Sequence, residues 1–363
     1  MKKVIAILLS MLLIFSHSAI AFAAVPGEND VLKFDENGEF KIFNICDIQD
    51  DFPIHETTVA FIKDMIKLHN PDIVVLGGDN STASKETKAD AIKELCEIFV
   101  ESETYFTFVF GNHDDEQGVS REELFEMYKF YGGKYCLAYD AVPELSGVGT
   151  HNLTVKSSDG RKIAYNLYMF DSNSYVYDDE GNKLGYDCVH ADQIEWYKNT
   201  ATAIKNANGG ETVKAMSFQH IIVPEIYDAL KQTKLLWFGR IIRSKNPLND
   251  KTRFYTLPDG AKGDLHEYPC PPYYNNGQFD AMLEVGDVLA TVSGHDHENT
   301  FEIDHKGIKI INTPTIGFNA YNDVNVGSRV FVIDENEPEK YETYCLTYTD
   351  VYGEIDELYQ ARI

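Results

Sequence analysis

The sequence predicts an α/β fold, and its composition, its alternating element patterns and its lack of internal divisions support this prediction. The chain has 363 residues, of which 44% are hydrophobic and 25% charged. This apolar share is enough to bury a large core, which excludes a disordered chain or a small disulfide scaffold. No linker-like, low-complexity or repeated stretch interrupts the sequence, so we expect a single domain over residues 24–363.

Strand and helix patterns alternate from residue 40 onward. Residues 41–46 form an apolar run typical of a buried strand, and Val59, Ile62 and Ile66 then recur at helical spacing. Further strands are predicted at 72–77 and 105–110, and helices at about 86–100 and from about 121. Such βα units favour a sheet with parallel character and covered faces.

The second half of the chain contains more strand patterns. Strands are predicted at 149–155, 163–170, 213–218 and 287–292, and runs at 308–312 and 329–333 are expected to complete a second sheet. One helix is predicted from an apolar stripe made of Ile194, Tyr197, Ala201 and Ile204. Residues 235–278 are predicted to be an irregular loop on the substrate side, and a loop of this length is usually functional or mobile.

The first 23 residues have the pattern of a secretory signal peptide. Lys2 and Lys3 precede an apolar run at 4–15, and small residues lead to a cleavage position after Ala23. The run has 12 residues, fewer than the ~20 needed to cross a bilayer, which favours export over a retained anchor. We therefore expect a secreted, extracellular or cell-envelope protein without stable membrane insertion.

The mature chain is strongly acidic. The net charge of −26 becomes −28 because two lysines leave with the signal, and such a surface repels nucleic-acid polymers. Of the six cysteines, Cys96 falls on a helical apolar stripe and is expected to be a buried thiol. Pairing among Cys136, Cys188, Cys270 and Cys345 stays open, as does the oligomeric state.

Five polar clusters each follow directly after an apolar strand. They begin at Asp47, Gly78, Gly111, Gln219 and Gly294. In open α/β sheets, ligands bind beyond the carboxyl ends of strands, so these clusters are expected to converge on one crevice. A single Gly-Asp after a strand is more often a turn or helix cap, but five such coincidences are hard to obtain by chance.

The clusters offer oxygen and nitrogen donors without a thiolate. Their carboxylates, carboxamides and imidazoles exceed what one tetrahedral zinc uses, and they suit two divalent ions about 3.5–4 Å apart. Such a pair produces hydroxide at neutral pH and stabilises in-line displacement at phosphorus. The pattern therefore predicts a binuclear metal centre for phosphate-ester chemistry.

The order of these motifs resembles that of calcineurin-like metallophosphoesterases. The most specific parts are Gly-Asn-His-Asp at 111–114 and Gly-His-Asp-His at 294–297, and the runs at 218–225 and 294–299 look most like the small purple-acid-phosphatase-like branch. The resemblance covers residues 40–335 and implies a four-layer αββα sandwich of two mixed β-sheets flanked by helices.

The resemblance also implies roles for individual residues. The first metal is expected to bind Asp47, Asp79 and His297, and Asp79 bridges to a second metal. The second metal is expected to bind Asn112, His220 and His295, with Asn112 also near the substrate. His113 is expected to act as the catalytic residue, stabilising the transferring phosphoryl group and protonating the leaving alkoxide.

Two positions depart from the family pattern. Gln49 stands where the family usually has His, and we keep it as a metal ligand because some nucleotide-diphosphate-cleaving members have Asp-x-Gln. Its harder oxygen favours manganese or iron(II) over zinc in the first site. Thr82 stands where purple enzymes place a tyrosine, so no tyrosinate colour is expected.

The resulting hypothesis is a secreted phosphoesterase that cleaves small phosphate esters by attack of metal-bound hydroxide with two Mn, Fe or Zn ions. Tyr273 and Tyr274 in the long loop are candidates for stacking on the substrate, although an ordinary surface loop is equally compatible. Two alternatives stay open. Gln49 suggests a nucleotide pyrophosphatase or phosphodiesterase, and the replaced ligand also allows a non-catalytic secreted metal-binding protein.

Overall fold

The computed structural model describes residues 25–234, 241–246, 251–322 and 326–353. The predicted signal peptide at 1–23 lies outside the described residues, and its cleavage stays a prediction. No helix in the described part of the chain is both long and apolar enough to traverse a bilayer.

The described residues form sixteen strands and seven α-helices. The strands are β1 (Glu39–Ile45), β2 (Ile73–Gly77), β3 (Phe106–Val109), β4 (His151–Lys156), β5 (Ile163–Met169), β6 (Tyr175–Tyr177), β7 (Lys183–Tyr186), β8 (Lys214–Phe218), β9 (Lys231–Thr233), β10 (Ile242–Asn246), β11 (Lys251–Thr256), β12 (Val288–Ser293), β13 (Glu302–His305), β14 (Ile308–Asn312), β15 (Gly327–Asp334) and β16 (Tyr341–Thr347). The helices are α1 (Glu56–His69), α2 (Lys88–Glu101), α3 (Arg121–Gly132), α4 (Ala191–Ala207), α5 (Ile226–Ala229), α6 (Gln278–Val285) and α7 (Tyr348–Tyr352).

Two mixed sheets make up the centre of the fold. The first has the order β16-β15-β1-β2-β3, in which β1, β2 and β3 are parallel and β15 runs antiparallel to β1. The second has the order β13-β14-β12-β8-β5-β4, with a parallel centre of β14, β12, β8 and β5. Because the central strands are parallel, their carboxyl ends lie at one edge of each sheet.

Helices cover the outer faces of both sheets. The first sheet packs residues such as Phe43 and Leu76 against Phe61 of α1 and Leu95 of α2. The second sheet packs against α4 and α6, and all four residues of the predicted α4 stripe are buried. A third apolar cluster, including Ile42, Val75, Leu167 and Met216, contains residues of both sheets. The four-layer sandwich is therefore confirmed.

Two sequence predictions about strand placement were wrong. The run at 329–333 belongs to β15, which pairs with β1 in the first sheet instead of completing the second. The segment 235–278 is only partly irregular, because β10 and β11 form a three-stranded sheet with β9. Apolar patterns locate strands, but the pairing partner depends on contacts between residues distant in sequence.

All six cysteines are free thiols in the structure. Cys96 is fully buried under the first sheet, as its helical spacing predicted. Cys46, Cys136 and Cys188 are also buried, whereas Cys270 and Cys345 are partly exposed.

His151 is a buried histidine that the fold holds in its neutral form. Its Nδ1 lies 2.7 Å from the carbonyl oxygen of Gly149, and its Nε2 lies 2.7 Å from Thr107 Oγ1. Burial lowers the pKa of His151 to about 4, below the value of roughly 6.5 for an unfolded chain. The unfolded state therefore binds the proton more readily than the folded state.

We expect this difference to make part of the stability depend on pH. Above about pH 6.5, His151 contributes up to ~3 kcal/mol to the free energy of unfolding. This contribution is lost as the pH falls toward 4. In His151→Gln, the free energy of unfolding in urea should therefore fall less between pH 7 and pH 4 than in the wild type. Burial and Lys41 also lower the pKa of the more exposed His69, so His69→Gln serves as the comparison and should change the pH dependence less. An unchanged pH dependence in His151→Gln would contradict the assignment.

Candidate metal centre

The predicted ligands stand on loops that leave the carboxyl ends of strands in both sheets. Asp47 follows β1, Asp79 follows β2, Asn112 follows β3, His220 follows β8 and His295 follows β12. The positions that sequence reasoning identified are therefore brought to one place by the sheet topology.

The backbone of these loops is unusual. Asp47, Gln49, Asp79 and His295 have φ angles of 55°, 45°, 51° and 72°, in the left-handed region that side chains rarely adopt. Such conformations persist only where the surroundings enforce them, and they concentrate at functional sites. The backbone at Gly111 also passes so close to Asp79 that only glycine fits there, since a Cβ at this position would lie 2.1 Å from Asp79 Oδ1.

Carboxylates and imidazoles converge in a buried cluster beyond the carboxyl ends of these strands. His220 Nε2 lies 3.2 Å from Asp79 Oδ2 and 3.9 Å from Asp47 Oδ1. His297 Nε2 lies 3.5 Å from Asp47 Oδ1. Ligand atoms of Asp79, His220 and His295 all lie within 4.8 Å of one another, and all three residues are buried.

Four ligand-type atoms in this cluster are buried and make no hydrogen bond, although two of them, Asp47 Oδ1 and His220 Nε2, lie within ion-pair distance of other charged members of the cluster. They are Asp47 Oδ1, Asn112 Oδ1, His220 Nε2 and His295 Nε2. A buried polar atom without a partner costs about 1–3 kcal/mol, so four in one cluster need an explanation. Divalent cations bound by these oxygens and nitrogens would satisfy all four. The residues present therefore fit the predicted metal ions.

Hydrogen bonds to the backbone orient two of the imidazoles. His220 Nδ1 lies 2.9 Å from the carbonyl oxygen of Gly77, and His297 Nδ1 lies 3.0 Å from that of Tyr321. Nδ1 therefore donates to the backbone, and Nε2 faces the cluster. Metal-binding histidines are commonly held in this way, because the outer hydrogen bond fixes the tautomer and ring direction.

The charges of the cluster are strongly interdependent. Burial disfavours a charged His220, but Asp79 and Asp47 outweigh this effect and raise its pKa to about 9. Burial likewise opposes charge on His297, whereas Asp47 raises its pKa to about 9. Burial would raise the pKa of Asp79, but His220 and His113 hold it well below its ordinary value. Binding of a cation therefore has to displace protons from the imidazoles.

Gln49 contacts the carboxylate that is predicted to bridge the metals. Its Nε2 donates to Asp79 Oδ2 over 3.1 Å. In this arrangement the amide nitrogen supports Asp79 as a hydrogen-bond donor, and the amide oxygen would have to turn inward to bind a cation. The role of Gln49 as a ligand stays a prediction.

His113 lies at the partly exposed rim of the cluster and belongs to a hydrogen-bonded chain. Its Nδ1 is 2.5 Å from Glu116 Oε2, and its backbone N–H donates to Asp79 Oδ1. The Tyr175 hydroxyl donates to Glu116 Oε1 over 2.7 Å and accepts from Asn112 Nδ2 over 2.9 Å. Glu116 and Tyr175 therefore connect His113 to Asn112, and neither was identified from the sequence.

Two tyrosines that the sequence did not single out contact imidazoles of the cluster. Tyr186 lies edge-on to His295 with ring centroids 4.3 Å apart, and Tyr321 stacks on His297 at 4.0 Å. Tyr273 donates its backbone N–H to the carbonyl of Tyr186, and Tyr274 lies next to Tyr273 and is exposed. The roles predicted for Tyr273 and Tyr274 in substrate binding stay predictions.

The missed tyrosines come mainly from the hairpin of β6 and β7. This hairpin supplies Tyr175 and Tyr186, and Lys183 places its Nζ 3.2 Å from the centroid of the Tyr175 ring. A signal was present in the sequence, since two short tyrosine-containing runs flank the turn residues Gly181 and Asn182. No sequence pattern marked Tyr321, whose backbone carbonyl and ring both contact His297.

A two-sheet α/β sandwich with buried aspartates and histidines at its strand ends defines a metallophosphoesterase scaffold. Comparison with known families agrees, because the calcineurin-like phosphoesterase family matches residues 40–299, more than half of the chain. The chain belongs to this family.

Similar proteins include some that are named probable inactive purple acid phosphatases and one that is named a phosphatase. The chain is 26% identical over 335 residues to "Probable inactive purple acid phosphatase 14" of Arabidopsis thaliana, covering 84% of this chain and 77% of that protein. It is 24% identical over 293 residues to "Phosphatase DCR2" of Saccharomyces cerevisiae, covering 73% of this chain and 45% of that protein. A solved dimetal phosphatase from Danio rerio aligns over 85% of this chain and 99% of its own, with 13% identity and a TM-score of 0.47.

We expect His220→Ala to weaken manganese binding by at least about 10²-fold, because it removes a buried nitrogen that faces Asp79 and Asp47 and makes no hydrogen bond. Calorimetric titration of the metal-depleted protein measures this effect. His69→Ala, at the end of α1, is the control and should bind as the wild type does. Wild-type affinity in His220→Ala, with an intact circular dichroism spectrum, would remove His220 from the metal centre.

Proposed function

We propose that this protein is a metal-dependent phosphoesterase that hydrolyses small phosphate esters. The observation that carries the proposal is the set of four buried metal-ligand atoms that make no hydrogen bond, next to a partly exposed histidine that is held by a carboxylate. We also propose export to the cell envelope or medium, on the signal-like pattern of residues 1–23. A mature N-terminus at Ala24 would support export.

Two cations would divide the donors between them. Asp47, His297 and Gln49 would hold the first, Asn112, His220 and His295 the second, and Asp79 would contact both. When bound, the pair supplies a nucleophile at neutral pH and stabilises charge on the phosphoryl oxygens. The chain contributes the fixed directions of its donor atoms, which Gly77 and Tyr321 set for His220 and His297.

His113 is placed to serve the leaving group. Glu116 is hydrogen-bonded to His113 Nδ1, so Nε2 is the ring nitrogen that can reach the oxygen of the leaving group. When the bond from phosphorus to that oxygen breaks, Nε2 gives it a proton, and the ring keeps the proton on Nδ1. The carboxylate of Glu116 stabilises the charged ring before this transfer and fixes its direction.

The overall charge restricts the substrate. A mature net charge of −28 repels large polyanions, whereas a small ester is drawn to the local positive charge of bound cations. This contrast favours small phosphate esters over nucleic-acid polymers as substrates.

A first prediction concerns His113 itself. We expect His113→Ala to keep its metal content but to lose about 10²-fold or more in the hydrolysis of an aryl phosphate, because it lacks the general acid. Elemental analysis and initial rates on the same preparations measure the two quantities. If metal content falls in parallel with the rate, His113 belongs to the metal ligands and not to the acid.

A second prediction tests whether Glu116 positions His113 for proton transfer to the leaving group. Glu116→Gln should slow hydrolysis of an alkyl phosphate by about 10-fold or more and that of dinitrophenyl phosphate much less, because a good leaving group needs no proton. Glu126→Gln, an exposed residue of α3, is the control. Equal losses on both substrates would show that Glu116 acts on something other than the leaving group.

Two other functions each have a specific observation in their favour. Gln49 suggests cleavage of a nucleoside diphosphate, and relatives named as probable inactive purple acid phosphatases suggest a metal-binding protein without turnover. An aryl phosphate, a bis-aryl phosphate and a nucleoside diphosphate sugar, each tested with manganese, distinguish these functions. Asp79→Asn is the inactive control. Bound metal with no hydrolysis of any ester would reject our proposal in favour of the binding protein.

A further inference from the structure

A second group of metal-ligand side chains lies at the end of β7. Asp187, Cys188 and His190 each offer one ligand atom, and these atoms all lie within 4.8 Å of one another. None of the three residues belongs to the predicted phosphoesterase centre. Asp187, Cys188 and His190 are called the Asp-Cys-His cluster below.

The hydrogen bonds of His190 turn one ring nitrogen toward this cluster. Nδ1 lies 3.1 Å from Ser146 Oγ, and that hydroxyl donates to Asp192 Oδ2 over 3.0 Å. Because the Ser146 proton is directed to Asp192, His190 Nδ1 is the donor in its own hydrogen bond. Carboxylate-backed hydrogen bonds of this kind hold metal-binding histidines in place.

His190 Nε2 then faces a carboxylate. It lies 3.0 and 3.1 Å from the two oxygens of Asp187. With the first proton on Nδ1, a neutral ring would direct its Nε2 lone pair at these oxygens, which is repulsive. Nε2 is therefore the ring nitrogen that a metal cation shared with Asp187 would use.

Cys188 places sulfur beside the same carboxylate. The residue is buried, and its Sγ accepts from Asn276 Nδ2 over 3.1 Å. Burial and the charge of Asp187 raise the pKa of the thiol to about 12, so the metal-free thiol keeps its proton. A divalent cation would offset both effects, because it neutralises Asp187 and binds the thiolate directly.

We propose that the Asp-Cys-His cluster binds one zinc ion through a carboxylate oxygen of Asp187, Sγ of Cys188 and Nε2 of His190. One carboxylate, one thiolate and one imidazole form a three-residue set suited to zinc, with the fourth position open to solvent. Binding releases the Cys188 thiol proton and the proton on His190 Nε2, while Nδ1 keeps its proton for Ser146.

The position of the cluster gives this ion a structural role. Asp187 follows β7 directly and donates its N–H to the carbonyl of Ser174, and Asn173 Nδ2 donates to the carbonyl of Cys188. Both ends of the β6–β7 hairpin therefore meet at the cluster. The hairpin carries Tyr175 and Tyr186, which contact Asn112 and His295, so zinc would hold it over the phosphoesterase centre.

Cobalt(II) gives a specific test on the full mature chain kept under reducing conditions. Thiolate bound to cobalt(II) produces an intense near-ultraviolet charge-transfer band, and the predicted donors of the phosphoesterase centre include no sulfur. We expect this band in the wild type and its loss in Cys188→Ser. Zinc content should fall by about one ion per chain in that variant.

Two further cysteines serve as controls. Cys270→Ser tests the thiol near His295 and Asp296, which is the other sulfur-containing ligand group in the described residues, and Cys345→Ser tests a thiol in β16. Both variants should keep the band. If Cys188→Ser does not fold, His190→Asn replaces it and should weaken cobalt binding while Asp79→Asn leaves the band in place.

Three outcomes would overturn the proposal. The first is that the cobalt-treated wild type shows no thiolate band. The second is that the band persists in Cys188→Ser, or that His190→Asn binds cobalt with full affinity. The third is that the band is lost in Cys270→Ser. None of these measurements depends on ester hydrolysis. A protein without any turnover can therefore still confirm the zinc site, and an active enzyme can still refute it.

Discussion

The carboxylate of Asp114 holds together the loops from which the metal centre is built. It accepts backbone N–H groups of Gly111 and Asp79 on one oxygen, and of Asn80 and Ser81 on the other, over 2.8–3.2 Å. The loops after β2 and β3 are thereby joined around a single side chain. Asp79 keeps its left-handed backbone because this buried carboxylate satisfies its N–H group, and Asp79 in turn accepts the N–H of His113.

Much of this arrangement could be predicted from the sequence because it follows local rules. Apolar runs located the central strands, and the polar residues directly after them are the ones that meet at the centre. Parallel strands place their carboxyl ends together. The convergence of Asp47, Asp79 and Asn112 could therefore be predicted without knowing any tertiary contact beyond the formation of the sheet. Burial of Cys96 and of the α4 stripe followed from helical periodicity in the same way.

What could not be predicted depends on pairing and on backbone atoms. The assignment of β15 to the first sheet is decided by its register with β1, which no local pattern encodes. Tyr321 contacts His297 through both its carbonyl oxygen and its ring, but it lies in a loop where no local pattern marks it. Glu116 lies three residues after His113, and only the observed contact distinguishes it from neighbouring surface acids such as Asp115.

The order in which the centre is assembled follows from the position of β15. The strand that carries Asp47 into the site lies between β2 and a partner that begins at Gly327, and Thr315 Oγ1 binds the carbonyl of Asp47. During synthesis, the sheet that carries Asp47 and Asp79 therefore cannot close until residues 327–334 have emerged. Ribosome-bound nascent chains that end before this strand would leave an edge of β1 unpaired and prone to intermolecular association.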